Sequence, residues 1–231
     1  MSSIFVNPTQ FDNKEDLVKY PDTTRKDITM LDEKGTNILY LPTEEEVYPD
    51  GTKPTVEYDF GYLTTIAEGA HRQGHFEGVA QVVGLLLDIV EPHKIFMGQK
   101  DFQQCALVHQ LIEFKKIDTE IVVCPIIREA DGLAMSSRNM RLNPEERLHA
   151  IILSKALQWV KDHYAQYNVA ELEQQASAMI NEKPGCETVY IEIRDQKTLR
   201  PIADNTIQKN VVVLGAAQVG PIRLIDNMII N

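Results

Sequence analysis

Lys94-Ile95-Phe96-Met97-Gly98-Gln99-Lys100-Asp101 is the stretch whose reading decides the fold. Lys94 to Met97 reads as a short strand, and the residues from Asp101 to Phe114 carry a helical pattern. Gly98 stands at the junction. In an open parallel sheet, ligands bind beyond the carboxyl ends of the strands. There a glycine lets backbone and ligand approach, and the amides of the next helix face an anion. Lys100 is placed to neutralise phosphate, and Asp101 either to cap the helix or to bond a ribose hydroxyl. A plain strand–turn–helix junction fits the same spacing.

Working outward, His75 to Val90 carries Phe76, Val79, Val82, Val83, Leu85, Leu86, Leu87, Ile89 and Val90. That is too apolar for a surface helix and predicts a core helix against a sheet. Ser3 to Val6, Asn37 to Leu41 and Glu120 to Val123 read as further strands, and Asp16 to Lys34 as mostly helical. The acidic run Glu44 to Glu46 reads as solvated surface. Strands with successive apolar residues, alternating with helices, describe a parallel sheet covered on both faces.

The order changes near Pro125. Asn143-Pro144-Glu145-Glu146 is a helix start with cap, N1 proline and acidic first turn. A second helix is predicted over Val169 to Asn181, then strands over Thr188 to Arg194, Val211 to Gln218 and Ile222 to Ile225. The expected class is α/β: a Rossmann-like parallel sheet over residues 1–124, then a smaller α+β domain over 125–231.

Composition narrows the function. Thirty-four acidic against twenty-three basic residues give a net charge of −11 on 231 residues, which argues against a nucleic-acid or membrane-surface partner. Local positive clusters still suit a small phosphate. At 43% hydrophobic and 25% charged the chain is globular, not disordered. Cys105, Cys124 and Cys186 are odd in number and form no CxxC pair. That argues against structural zinc or a disulfide framework and for a reducing cytoplasm; Cys105 and Cys124 read as core residues. No run reaches the ~18 apolar residues of a spanning helix, and Met1-Ser2-Ser3 opens no signal peptide.

Other candidates flank the junction. Asn7-Pro8-Thr9-Gln10 ends the first strand on the same rim, where uncharged amides suit a hydroxylated carboxylic acid, although Asn-Pro alone also makes a turn. Of Gln103 and Gln104, one is expected to face the cleft and the other solvent. Met135-Ser136-Ser137-Arg138-Asn139 lies in a loop read as flexible, either a triphosphate clamp or a solvated connector. Arg72 precedes the core helix and is expected either to face the site or to lie on the surface; His75 reads as a capping residue. The remaining histidines show no metal-ligand spacing.

Five blocks, taken together, go further: Ser3-Ile4-Phe5-Val6-Asn7-Pro8-Thr9-Gln10-Phe11, Arg72-Gln73-Gly74-His75-Phe76-Glu77-Gly78-Val79, Gly98-Gln99-Lys100-Asp101-Phe102-Gln103-Gln104, Arg128 to Asn139, and Arg223-Leu224-Ile225-Asp226-Asn227. In this order they resemble the pantothenate synthetase (pantoate–β-alanine ligase) family over essentially the whole chain. The resemblance implies a two-step ligation. Pantoate's carboxylate attacks the α-phosphorus of MgATP to give pantoyl adenylate, and the amine of β-alanine then displaces AMP. It implies that Gln10 and Gln104 hold pantoate, with Asn7 and Arg72 supporting that pocket. Gly98 and Asp101 would hold the ribose with Gln99 beside them, and Ile127 would meet adenine through its backbone. Lys100, Ser136, Ser137 and Arg138 would grip the phosphates, with Met135 opening that loop. Lys100, Ser136 and Arg138 carry the catalytic expectation. The cofactors implied are ATP and Mg2+, with no metal ligand assigned, and the assembly implied is a cytoplasmic homodimer.

One departure accompanies the resemblance. The family begins with a strand and a turn reading roughly Pro-Thr-Met-Gly-x-Leu-His-x-Gly-His, whose histidines bind ATP phosphates; here the match begins at the second strand. The expectation is a shortened version of an ordinary enzyme, with the strands at Ile4 and Ile95 left without a shared neighbour and little ligase activity in these 231 residues alone. A nucleotidyltransferase that stops before amide formation, and a non-catalytic nucleotide-binding remnant, are the competing functions.

Overall fold

A computed structural model of the chain describes residues 1–11, 14–54, 56–202 and 209–231. In chain order the elements are β1 (Ser2–Ser3), α1 (Lys14–Val18), α2 (Thr24–Glu33), β2 (Leu39–Tyr40), α3 (Glu44–Val47), α4 (Ala67–His71) and α5 (His75–Val90). There follow β3 (Lys94–Gly98), α6 (Phe102–Lys115), β4 (Glu120–Cys124), α7 (Pro144–His163), α8 (Val169–Asn181), β5 (Cys186–Asp195), β6 (Val211–Val219) and β7 (Ile222–Ile230). The chain is mixed α/β, with parallel strands first and an antiparallel sheet of order β5-β6-β7 after them.

Local chemistry accounts for the boundaries. The α7 start is a capping box: Asn143 Oδ1 accepts the Glu145 and Glu146 amides at 2.9 Å, and Glu146 accepts the Asn143 amide at 2.8 Å. Glu44 to Glu46 are exposed, as expected of solvated surface, and form the first turn of α3. Thr43 and Glu46 make a capping box there, and the acidic turn suits the positive end of the helix.

The parallel half consists of two separate strand pairs, in keeping with the expectation that the strands at Ile4 and Ile95 lack a shared neighbour. Among the described residues, β1 pairs only with β2, and β3 only with β4. β1 and β2 are two residues long, because the Asn7-Pro8 turn halts pairing soon after Ile4. The expected cover on both faces is incomplete, since Phe96 in the middle of β3 is 66% exposed. A pair two strands wide cannot be covered as a doubly wound sheet is. No helix among the described residues is long and apolar enough to cross a membrane.

The antiparallel sheet is better enclosed, and β6 is its most buried strand. Val211, Val213 and Ala217 face α7 and α8, packing with Leu153, Leu157, Val160, Leu172 and Ile180. Val212 and Leu214 point the other way, into a cluster with Phe76, Val79, Leu107 and Leu111 of α5 and α6. The period-two alternation of a strand thus makes β6 the wall common to two cores. Gly215 leaves little room at its centre: a Cβ there would lie 3.0 Å from the terminal side-chain carbons of Leu157 and Ile191. Because one strand serves both cores, urea should unfold the molecule in a single transition. Trp159 fluorescence, which reports on α7, should coincide with far-ultraviolet circular dichroism. Leu214→Ala, on the far face from Trp159, should lower the Trp159-detected stability by about 2–4 kcal/mol. Two separated transitions would contradict the shared wall.

Candidate functional site

A cavity of about 330 Å³ opens between the β3–α6 junction, the segment from Leu133 to Arg141, the strand β7 and α4, with Glu15 and Lys19 of the N-terminal segment at its edge. Lys19, Arg72, Lys100, Arg138, Arg141 and Arg223 line it, against the carboxylates of Glu15, Glu68, Asp101 and Asp226. In a chain of net charge −11, six cations against four acids make this a local positive region suited to a polyanion.

The junction is built for access. Gln99 to Asp101 form one 3-10 turn between β3 and α6. Gly98 has ordinary extended backbone angles, and a Cβ there would meet nothing within 4 Å, so neither conformation nor packing demands a glycine. Its bareness leaves the strand end open. Asp101 occupies the N-cap position of α6 yet makes no capping hydrogen bond with its side chain, which is exposed to the cavity. Gln99 turns away, its amide donating to Asn227 Oδ1 at 3.0 Å.

Gln104 lines a smaller adjoining pocket with Arg72, His75, Lys100 and Asp101. Gln103 does not face solvent as expected. It is buried, accepting the Glu68 amide at 2.9 Å and donating to the carbonyls of Leu63 at 2.6 Å and Ile66 at 3.0 Å. The Ile66 carbonyl also accepts the Ala70 amide at 3.1 Å, but the Glu68 amide lies in the first turn of α4, where the helix supplies no acceptor, so the glutamine is held inside.

The Met135–Asn139 segment is stiffer than a free connector. Arg128 and Ala134 bridge in antiparallel fashion, Glu129 donates its amide to Leu133 at 2.8 Å, and Gly132 turns the hairpin at φ +94°. Arg147 of α7 grips it from outside, donating to Asp131 at 2.6 Å and Glu129 at 2.8 Å; these bonds hold both carboxyls below their usual range. Ser136 Oγ accepts the Arg138 amide at 3.3 Å, and the Arg138 guanidinium lies 5.6 Å from the Tyr20 ring centre. Ser137 turns to the Tyr20 hydroxyl at 3.2 Å. Met135 and Ile127, joined by a 2.9 Å backbone bond, are exposed and do not line the cavity.

Asn7 is 2% exposed and its amide is fully engaged: it donates to the Gly78 carbonyl at 3.2 Å and accepts the Tyr48 hydroxyl at 2.7 Å. It holds the 8–10 turn in place. His75, expected as a cap, holds the same turn. Its Nδ1 lies 2.8 Å from the Gln10 carbonyl and its Nε2 3.0 Å from Arg72 Nη1. A carbonyl only accepts and a guanidinium only donates, so the network assigns the proton to Nδ1 and the lone pair to Nε2. Gln10 is thus fixed by its backbone beside Arg72, which also donates to the Gln10 carbonyl at 3.4 Å.

Glu68 belongs to none of the sequence motifs, yet it organises the site. Only 7% exposed, it accepts Arg223 Nη1 at 2.6 Å and the Tyr190 hydroxyl at 3.0 Å, with Arg72 Nη1 at 3.6 Å. Burial pushes its carboxyl up, but Arg223 and Arg72 outweigh that and hold it below the usual range. The anion therefore anchors two cavity arginines. Cys105 is buried against the Gly98 carbonyl, its thiol pushed up to about 12 by burial, which fits a core residue and not a nucleophile.

Comparison with known proteins bears on what this arrangement serves. Residues 1–229 match the family model described as pantoate-beta-alanine ligase. Pantothenate synthetase of Cytophaga hutchinsonii is 43% identical over 232 residues, 100% of this chain and 81% of that protein. The Bacteroides fragilis protein of the same name is 43% identical over 228 residues, 98% of this chain and 79% of its own length. The crystal structure of pantothenate synthetase from Thermus thermophilus superposes with a TM-score of 0.91 at 37% identity, covering 98% of this chain and 81% of that one. A pantoate-beta-alanine ligase from Francisella tularensis, complexed with beta-gamma ATP and beta-alanine, gives a TM-score of 0.79 at 33% identity over 98% of this chain and 77% of its own.

The attachment of the 8–10 turn yields a prediction with an unusual sign. Alanine in place of a helix-interior glycine ordinarily stabilises by about 0.5–1 kcal/mol. At Gly78 of α5, however, a Cβ would lie 2.3 Å from the Thr9 carbonyl oxygen. Gly78→Ala should instead destabilise by about 1–3 kcal/mol in chemical denaturation and speed amide exchange over residues 7–11. A stabilised variant would show that the turn is not seated on α5.

Proposed function

The chain belongs to the pantoate-beta-alanine ligase family, and from that premise we propose that it condenses pantoate with β-alanine, driven by ATP, through a pantoyl adenylate. The observation that carries this reading is the convergence of Lys100, Arg138 and Ser136 on one cavity, with Gln104 and Arg72 on the pocket beside it. A carboxylate is a poor acyl donor. Attack of its oxygen on the α-phosphorus breaks the bond to the β-phosphate, releases pyrophosphate and leaves a mixed anhydride. The amine nitrogen then attacks the acyl carbon, AMP departs with the carbon–oxygen bond, and the nitrogen loses a proton.

In this scheme the residues position and neutralise, which is where such chemistry gains most. Lys100 and Arg138 take the triphosphate charge, with the Ser136 and Ser137 turn against it. Asp101 is free of helix capping and available to the ribose; the exposed Ile127 and Met135 are left for adenine. Gln104 and the turn bearing Gln10 receive pantoate's hydroxyl and carboxylate groups, with Arg72 as counter-charge. Mg2+ travels on the nucleotide: it favours phosphate oxygens and one or two carboxylates, and no cluster of three or more metal-ligating side chains occurs among the described residues.

We further propose that the 231 residues by themselves carry out the first step slowly. Among the described residues no histidine lines the main cavity, and His75 in the adjoining pocket is engaged by Gln10 and Arg72. The test is single-turnover formation of pantoyl adenylate, compared with the longer Bacteroides fragilis protein. We expect β-alanine-dependent amide formation, an adenylation rate about 100-fold below that relative, and a further loss of about 100-fold in Lys100→Ala. Equal rates would overturn the slow first step. Stable nucleotidylation with no dependence on β-alanine would overturn the ligase reading.

A further inference from the structure

We propose that Asp226 and Asn227 are positioning residues that together set the distance between the Lys100 junction and the Ser136–Arg138 turn. The inference rests on the ligase reading for its functional meaning. β7 is otherwise apolar at its core, with Ile222, Leu224 and Ile230 buried, yet it carries two polar side chains that are only 4% and 1% exposed. Buried polar groups in a strand need specific partners, and the partners here are the two limbs of the phosphate site.

Asn227 holds the first limb. Its Nδ2 donates to the Gln99 carbonyl at 2.9 Å and the Lys100 carbonyl at 3.0 Å, while its Oδ1 accepts Gln99 Nε2 at 3.0 Å. Those carbonyls belong to the peptide units before and after the Lys100 Cα, so one amide orients both planes and aims the lysine side chain. Asp101 adds no side-chain cap, which leaves Asn227 as the side chain securing this turn among the described residues.

Asp226 holds the second limb. Its carboxylate accepts Arg128 Nη1 at 2.7 Å and Nη2 at 2.9 Å, and Arg128 also donates to the Gly132 carbonyl at 3.0 Å. Arg128 is thereby locked to the turn of the hairpin, whose Ala134 strand leads directly to Ser136. Successive residues of a strand point to opposite sides, so neighbouring positions can reach both limbs. The Asn227 backbone N–H donates to Asp226 Oδ1 at 2.7 Å, so the carboxylate that holds Arg128 is also fixed to the main chain of the residue that holds the Lys100 turn.

The experiment measures ATP and pantoate binding separately by calorimetry for the full chain, Asn227→Ala and Asp226→Asn, with residue-resolved amide exchange on each. Asn227→Ala should weaken ATP by about tenfold or more while pantoate stays within about threefold, and should speed exchange at Lys100 and Asp101 more than in the hairpin. Asp226→Asn should weaken ATP similarly but speed exchange in residues 128–136 instead. Asn227→Asp, of equal volume but with a carboxylate facing two carbonyls, serves if the alanine variant fails to fold, with the same expected pattern. Unchanged ATP affinity, or ATP and pantoate losses that only follow a drop in melting temperature, would overturn the proposal. If the unaltered chain binds no ATP, the ligase reading fails. The exchange pattern then decides the positioning claim: limb-specific changes uphold it, and uniform or absent changes overturn it.

Discussion

The burial of β6 on both faces is the constraint from which the rest of the site follows. An element with one apolar face can lean on a single neighbour and shift against it. A strand packed on both sides cannot slide without opening two cores, and close-packed interiors penalise that steeply. β7 is hydrogen-bonded to β6 along its whole length, so its position relative to α5 and α6 is fixed by the same packing. The cavity wall from Arg223 to Asp226 is therefore part of the framework. Tyr190 of β5 extends the lock, reaching across to Glu68 of α4.

Placing cations against this wall raises an electrostatic problem that the carboxylates solve. Six positive side chains around a cavity of about 330 Å³ would repel one another and, being flexible, would scatter into solvent. Glu68 supplies a buried counter-charge that holds Arg72 and Arg223 at defined places, and Asp226 does the same for Arg128. At Asp226, burial wins and its carboxyl lies above the usual range despite the bidentate arginine. A dry, fully paired anion orients its partner more strictly than a surface ion pair does. The acids thus organise the arginines, while Lys100 makes no ion pair among the described residues and lines the cavity with its charge near Asp226.

Much of this is legible in the residues. α5 and α8 fall where apolar periodicity puts them, the Asn143-Pro144 signal marks the start of α7, and β3, β4 and β6 agree within a residue or two. Such features are set by local spacing. What the sequence conceals depends on contacts distant along the chain. Gln103 and Gln104 are chemically alike, and only the carbonyls of Leu63 and Ile66 decide which one goes inside. The serine-rich segment reads as loose because its anchor is distant: Asn139 donates to Glu129, which Arg147 of another element also grips. Asp226-Asn227 does offer a signal: two polar residues inside an apolar strand. β1 and β2 are shorter than their composition suggests, since a β-branched or aromatic run permits a strand without supplying its partner.

The two parallel strand pairs leave one question of mechanics, namely what keeps the 8–10 turn and the Lys100 junction in register. In a continuous parallel sheet, strand pairing would do it. Here the 8–10 turn follows β1 and Lys100 follows β3, and these strands do not pair with each other. The link runs through the first turn of α5 instead. Gly78 lacks the Cβ that would push the turn away, Asn7 bonds its carbonyl, and His75 and Arg72 bind the Gln10 carbonyl. Arg72 also reaches the pocket that Gln104 and Lys100 share. A helix N-terminus held by three side chains and one close contact is a softer coupling than a ladder of backbone bonds. Chemistry that needs a carboxylate oxygen aligned with a phosphorus atom is sensitive to misplacement on the order of 1 Å. The register between the 8–10 turn and the Lys100 junction therefore depends on α5.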